Sequence, residues 1–244
     1  VTLHTFKLPW ENTLLCGDSY QAGCNTIVLH GAGKSSRSRF SRLRDTLHQR
    51  GIPTAAFDFI GHGETGGELL GSTLCERTEQ AAAVIRYACR EPLTLIAASM
   101  SGHTAIKLTE IFDVENLVLL VPAVYTSRAY HLPFGPEFSA AIRVPESWRE
   151  SDAFDVLAEF KGKLLIVAAE CDGAIPAEVP QRMYSAAGTA ADRMLHVIPD
   201  AGHTSLFLRD QDFHCMVDMI AGLCRRGWQS ADADHGTAGE CNFQ

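Results

Sequence analysis

The chain has 244 residues, 46% of them hydrophobic and 20% charged, so it can bury a core and is not intrinsically disordered. Its formal net charge is -8, from 21 Lys and Arg against 29 Asp and Glu. That argues against a phosphate-backbone binder, which needs a basic face, and disfavours an anionic membrane surface.

Short apolar runs alternate with helical patterns. Weak strand signals lie near Thr2 to Leu8 and Thr13 to Leu15, and we expect them to form an antiparallel edge. Buried strands are predicted at Thr26 to Leu29, Thr54 to Phe57, Leu93 to Ala98, Leu117 to Val121, Leu164 to Ala169 and Leu195 to Ile198. Such runs suit parallel strands covered on both faces. Between them, Phe40, Leu43 and Leu47 share one helix face. Ala81, Val84, Ile85 and Ala88 follow helical spacing, as do Phe213, Met216, Val217 and Ile220. The alternation predicts one α/β domain over residues 1–228 with a mostly parallel sheet. No stretch approaches the roughly 18 apolar residues of a membrane span.

Pro122 to Lys161 breaks the rhythm with four of the ten prolines and a set of aromatic residues, and reads as an ordinary long connection or as a lid or binding-loop insertion over about 122–161. Residues 229–244, rich in Ala, Asp, Gly and Ser, are read as a flexible tail. The eight cysteines show no CxxC pair and no metal-ligand spacing. We expect separate thiols in a reducing cytoplasm, with no metal and no organic cofactor.

In open α/β sheets, ligands bind at the carboxyl ends of the strands. Strand 26–29 leads into His30-Gly31-Ala32-Gly33-Lys34-Ser35. Gly33-Lys34-Ser35 looks like the end of a phosphate-binding loop, but that motif needs glycine where Val28 stands. The alternative is a glycine-rich turn whose N–H groups face a cleft. Asp58-Phe59-Ile60-Gly61-His62-Gly63 reads as a tight turn, in which His62 is either catalytic or, as we favour, a structural histidine holding neighbouring loops. Strand 93–98 runs into Ser99-Met100-Ser101-Gly102 and then a helix. A serine there, with small residues two positions away, fits a nucleophile elbow above a helix N-terminus. Ser101 is a rival nucleophile or a helix N-cap; His103 beyond it is too bulky for the turn, so Ser99 is favoured.

A nucleophilic serine needs a base, and the base an orienting carboxylate. Glu170-Cys171-Asp172-Gly173 and Asp200-Ala201-Gly202-His203 follow the last two strands. Asp172 outranks Glu170 because Gly173 and Pro176 place it in the loop. Asp200 shares the loop of His203.

These features resemble the α/β-hydrolase superfamily over nearly the whole chain, and most of all its monoglyceride-lipase and serine-aminopeptidase-like branch. The resemblance rests on His30-Gly31-Ala32-Gly33, Asp58 with Gly61-His62-Gly63, Ser99-Met100 and Gly202-His203, in that order. It implies an eight-stranded sheet, a lid, and a Ser99–Asp172–His203 triad. It also implies an oxyanion hole from the backbone N–H groups of Ala32 and Met100. The family's elbow usually carries glycine where Ala97 and Ser101 stand. Ala98-Ser99-Met100-Ser101 is similar to acyl-thioesterases of bacterial bioluminescence systems. The expected reaction is hydrolysis of an ester or thioester on a small or carrier-bound acyl substrate. Tyr130, Phe134, Phe138, Ile142 and Trp148 of the lid are expected to line an apolar acyl pocket. The same residues leave open an acyltransferase, a C–C bond hydrolase or a non-catalytic binding protein. They also leave the oligomeric state open.

Overall fold

The computed structural model describes residues 3–224. Thr2, the tail at 229–244 and Cys241 lie outside the described residues. The strands are β1 (His4–Trp10), β2 (Thr13–Ser19), β3 (Cys24–Leu29), β4 (Thr54–Phe57), β5 (Cys89–Ala98), β6 (Val114–Leu120), β7 (Lys163–Ala169) and β8 (Asp192–Ile198). They form one eight-stranded sheet in the order β1-β2-β4-β3-β5-β6-β7-β8. β1 and β2 pair antiparallel, and β2 joins β4 antiparallel; the pairs from β4 to β8 are parallel. β1 and β8 are therefore the outer strands.

The helices are α1 (Ser41–Gln49), α2 (Leu74–Ala88), α3 (Ser101–Leu108), α4 (Pro136–Ile142), α5 (Ala153–Glu159), α6 (Glu178–Ala186) and α7 (Asp210–Cys224). Strand side chains alternate between the two faces of the sheet. Ile27, Leu29, Leu95 and Ala97 pack with α2, α3, α5 and α6 on one face. Val28, Ile96, Ala98 and Val118 pack with α1 and α7 on the other. Both faces are covered, so the strands read as continuous apolar runs rather than alternating ones. α2 begins in a capping box: Glu76 N–H donates to Thr73 Oγ1 at 3.0 Å, and Thr73 N–H to Glu76 Oε2 at 3.1 Å. No helix among the described residues is long and apolar enough to cross a membrane.

The insertion after β6 is shorter than the expected 122–161. α5 packs Phe154 and Leu157 into the main core, so it belongs to the body. The cap consists of 3-10 turns at Ser127–His131 and Ser147–Glu150 with α4 between them. The seven described cysteines are free thiols. Not all stand apart: Cys24 and Cys89 are register partners across β3 and β5. Their thiols share a hydrogen bond, which with burial holds Cys89 above the ordinary thiol range.

Candidate active site

β5 lies inside the sheet, and its carboxyl end delivers Ser99 into a sharp turn before α3. Ser99 has φ 52°, a left-handed conformation that costs a non-glycine residue about 1–3 kcal/mol. Neighbours hold it there. Ser99 N–H donates to Leu120 O at 2.9 Å, and Ser99 O accepts from Gly102 N–H at 2.9 Å and Ala123 N–H at 3.0 Å. The flanking glycines make room. A Cβ on Gly31 would stand 3.0 Å from Ser99 Cβ, and one on Gly102 would stand 2.8 Å from Pro122 Cβ.

His203 and Asp172 arrive from the loops after β8 and β7. Ser99 Oγ lies 2.9 Å from His203 Nε2, and His203 Nδ1 lies 2.8 Å from Asp172 Oδ2. The carboxylate accepts a hydrogen bond from Nδ1–H, which leaves Nε2 with a lone pair toward the serine hydroxyl. Asp172 is itself fixed: Oδ1 accepts from Ala174 N–H at 2.8 Å and Ile175 N–H at 2.9 Å. The rival acids do other work. Glu170 Oε2 accepts from Asp200 N–H at 2.9 Å, and the Asp200 carboxylate lies 3.8 Å from Arg209. Both acids fasten the two loops to each other and to the body.

The loop after β3 carries Gly31 and Ala32 past Ser99. His30, fully buried, anchors its start. Its Nε2 accepts from Phe59 N–H at 3.2 Å, so Nδ1 carries the proton and donates to Gly31 O at 2.7 Å. That carbonyl belongs to the same peptide as the Ala32 N–H, so the imidazole orients that amide. Burial, with Arg77 repulsion added, pushes His30 down to about 3 and keeps the ring neutral. Arg37 anchors the other end of the loop. It pairs with Asp18 at 2.7 Å and with Asp58 and Glu64. Asp58 also accepts from Arg37 N–H at 2.7 Å and Glu64 N–H at 3.0 Å. Gly63 is required beside it, because a Cβ there would meet the Asp58 carboxylate at 2.2 Å. No hydrogen bond among the described residues occupies the Ala32 or Met100 N–H.

His62 takes the structural place expected of it. Its Nδ1 lies 3.0 Å from Ile60 O inside its own turn, and burial lowers its pKa. Ser101 is neither nucleophile nor helix cap. It is fully buried as the first residue of α3, and Met100 takes the N-cap position. Its hydroxyl donates to His30 O at 2.5 Å and accepts from Arg77 Nη2 at 3.1 Å. Arg77 is a site residue that sequence reasoning missed. Its signal was present, since position 77 falls four residues before Ala81 on the apolar stripe of α2.

Two cavities meet at Ser99 and His203. One, of about 370 Å³, is walled by the Gly31–Phe40 segment and by Leu206 and Phe207. The other, of about 380 Å³, is lined by Tyr125, Ile142, Val144, Trp148 and Val179. Of the five expected lid residues, Ile142 and Trp148 line this second cavity. The other three do not line either one. Phe134 and Phe138 pack with Leu74 and Met100 in a separate cap core, and Tyr130 packs against its rim. Aromatic pairing explains the placement: Phe134 and Phe138 meet edge to face at 4.8 Å.

The sheet order, the strained serine after β5 and the acid and histidine after β7 and β8 define an α/β-hydrolase. The chain belongs to the serine aminopeptidase (S33) family, whose family model matches residues 24–146. That match covers Ser99 and ends before Asp172 and His203. Among solved structures, Est1E from Butyrivibrio proteoclasticus with ferulic acid bound has a TM-score of 0.71 at 18% identity. The alignment covers 91% of this chain and 100% of that one. A monoacylglycerol lipase from Paleococcus ferrophilus has a TM-score of 0.67 at 17% identity, covering 86% of this chain and 99% of that one. A thioesterase domain from the curacin biosynthetic pathway has a TM-score of 0.67 at 14% identity, covering 93% and 100%. No curated protein sequence matches the chain.

Proposed function

We propose that the protein is a serine hydrolase that cleaves a carboxylic ester or acyl thioester through an acyl-enzyme. The observation that carries this reading is the relay from Ser99 Oγ to His203 Nε2 at 2.9 Å and from His203 Nδ1 to Asp172 at 2.8 Å, built on a strained serine. His203 takes the hydroxyl proton as Ser99 Oγ bonds to the substrate carbonyl carbon. Asp172 holds the tautomer and stabilises the imidazolium. The Ala32 and Met100 N–H groups receive the oxyanion, and one such donor elsewhere is worth about 3–4 kcal/mol. The acyl–oxygen or acyl–sulfur bond then breaks, and His203 returns its proton to the leaving alcohol or thiol. Water, activated by His203, releases the acid and restores Ser99.

The cavity lined by Ile142 and Trp148 suits an apolar acyl chain. The names of the structural neighbours, a monoacylglycerol lipase and a thioesterase domain among them, support ester or thioester chemistry.

A fluorophosphonate probe tests the reading. It should label the wild-type chain at Ser99 and leave Ser99→Ala unlabelled. Equal labelling of both, or of neither, sinks the assignment.

A further inference from the structure

The Gly33-Lys34-Ser35 turn has no part in the chemistry above, yet it lies in the wall of the 370 Å³ cavity beside Ser99. Lys34 and Arg39 both line that cavity, and no acidic residue among the described residues does. Arg39 Nη2 donates to Thr204 O at 3.1 Å, which holds the guanidinium against the loop that carries His203. The carboxylates nearby are already engaged. Asp18, Asp58 and Glu64 pair with Arg37, and Asp210 pairs with Arg42. Neither Lys34 nor Arg39 meets a carboxylate among the described residues. A cationic wall is therefore left uncompensated on a chain of net charge -8.

The second cavity differs in charge. Among the described residues it is lined by no Lys or Arg, and its single acid is Glu146. Ser99 and His203 belong to both cavities. A substrate whose carbonyl sits at their junction must send one arm into each. Both cavities have apolar walls that could hold an acyl chain, but only the first carries cations, so it suits an anionic leaving arm and leaves the second to the acyl chain.

We propose that the substrate is an acyl ester or thioester whose leaving alcohol or thiol carries a phosphate or similar anion, bound by Lys34 and Arg39. The proposal rests on the serine-hydrolase reading. His203 still supplies the proton to the departing oxygen or sulfur, and the anion travels with the leaving group unchanged.

Two matched pairs test it: octanoyl-coenzyme A against octanoyl-pantetheine, and octanoyl-glycerol phosphate against octanoylglycerol. The pairs also separate a carrier thioester from a phospholipid-type ester. In at least one pair the anionic member should have the higher kcat/KM. Lys34→Gln should lower the anionic-to-neutral ratio about threefold, and Lys34→Gln with Arg39→Gln about tenfold, chiefly through KM. Raised salt should shrink the same ratio. Preference for the neutral member in both pairs overturns the proposal, as does a ratio untouched by the substitutions. So does a stronger preference for octanoyl esters whose charge sits on the acyl side.

Calorimetric binding of coenzyme A and of glycerol phosphate to the Ser99→Ala chain needs no turnover. Binding by either that Lys34→Gln weakens, in a chain whose wild type hydrolyses nothing, keeps the anion site and discards the hydrolase. Hydrolysis without anion preference does the reverse.

Discussion

Arg77 Nη2 donates to Ser101 Oγ at 3.1 Å, beneath the turn that carries Ser99. Arg77 is fully buried, and burial pushes its pKa down to about 9. Nη2 also donates to His30 O at 3.2 Å, while Nε and Nη1 have no hydrogen-bond partner among the described residues. The guanidinium lies over the Phe59 ring at 3.8 Å, a cation–π contact that offsets part of its desolvation. Ser101 thus replaces the elbow's usual glycine with a hydroxyl that serves both His30 and Arg77.

Ser101→Gly should lower unfolding stability by about 1–3 kcal/mol, because it strips a buried cation of an acceptor and a buried carbonyl of a donor. Combining it with Arg77→Met should cost less than the sum of the two single changes, since the partners share one network. Urea denaturation of the four chains measures the coupling, and strict additivity contradicts it.

Asp172→Asn keeps the size of the side chain and removes the acceptor that fixes the His203 tautomer. We expect kcat to fall by about 10⁴ on any ester turned over, with the fold retained. Circular dichroism with a nitrophenyl ester assay separates the two effects. A loss under tenfold would show that the acid is not the orienting group.

Gly31→Ala places a methyl 3.0 Å from Ser99 Cβ and 3.3 Å from Ala98 O. Neither neighbour can yield without moving the serine from His203. A displacement of about 1 Å costs about 100-fold in rate, so activity should drop by tens-fold while the melting temperature moves by only a few degrees. An equal loss at Gly33→Ala would show that general loop strain is responsible. Nothing stands within 4 Å of a Cβ there, although φ 71° makes the change strained.

Burial holds His30 at about 3 and His103 at about 4, both below the ordinary 6.5. The unfolded chain therefore takes up protons below pH 6.5 that the folded chain refuses. Stability should be full above pH 6.5 and fall as pH drops toward 4. Each histidine contributes about 1.4 kcal/mol per pH unit in that window. Around His103, Lys107 opposes its charging and Asp152 favours it, and both effects are smaller than burial. Tyr125 N–H donates to His103 Nδ1 at 3.4 Å, so His103→Gln can keep an acceptor there. The variant should show a shallower acid slope in urea midpoints at pH 7, 6 and 5. A wild-type stability that is flat across this range rules the assignment out.

Trp148 and Ile142 line the apolar cavity beside Ser99. Trp148→Ala should shift the preferred acyl length of nitrophenyl esters toward longer chains. Phe138→Ala should instead act on stability, by about 3–5 kcal/mol, because that ring is buried in the cap core. The same change in chain-length profile for both variants would merge the two roles.

The sheet was legible because its strands are apolar on both faces and separated by helices of clear period. The predicted run at Thr54 to Phe57 and the strand β4 coincide. Ser99, Asp172 and His203 could be ranked because each follows a strand and carries small or turn-forming neighbours. The cap was not legible in the same way. Its aromatic residues announce burial, but composition does not say whether a ring faces a cavity or another ring. Phe134 and Phe138 chose each other, while Ile142 and Trp148 reached the cleft. The Arg77–Ser101–His30 network escaped because it joins α2, α3 and the loop after β3, which only the fold brings together.

The two outer strands carry a further consequence. An open sheet leaves a row of unpaired amides along each border, which invites another chain to add a strand. β1 presents Lys7 and Pro9 at one border. Proline cannot donate to an added strand, and the charged lysine resists being sandwiched. At the β1 border the sheet that aligns Ser99 with its partners is thus guarded against growing sideways into aggregates. Replacing Pro9 or Lys7 with valine is where that protection would first fail.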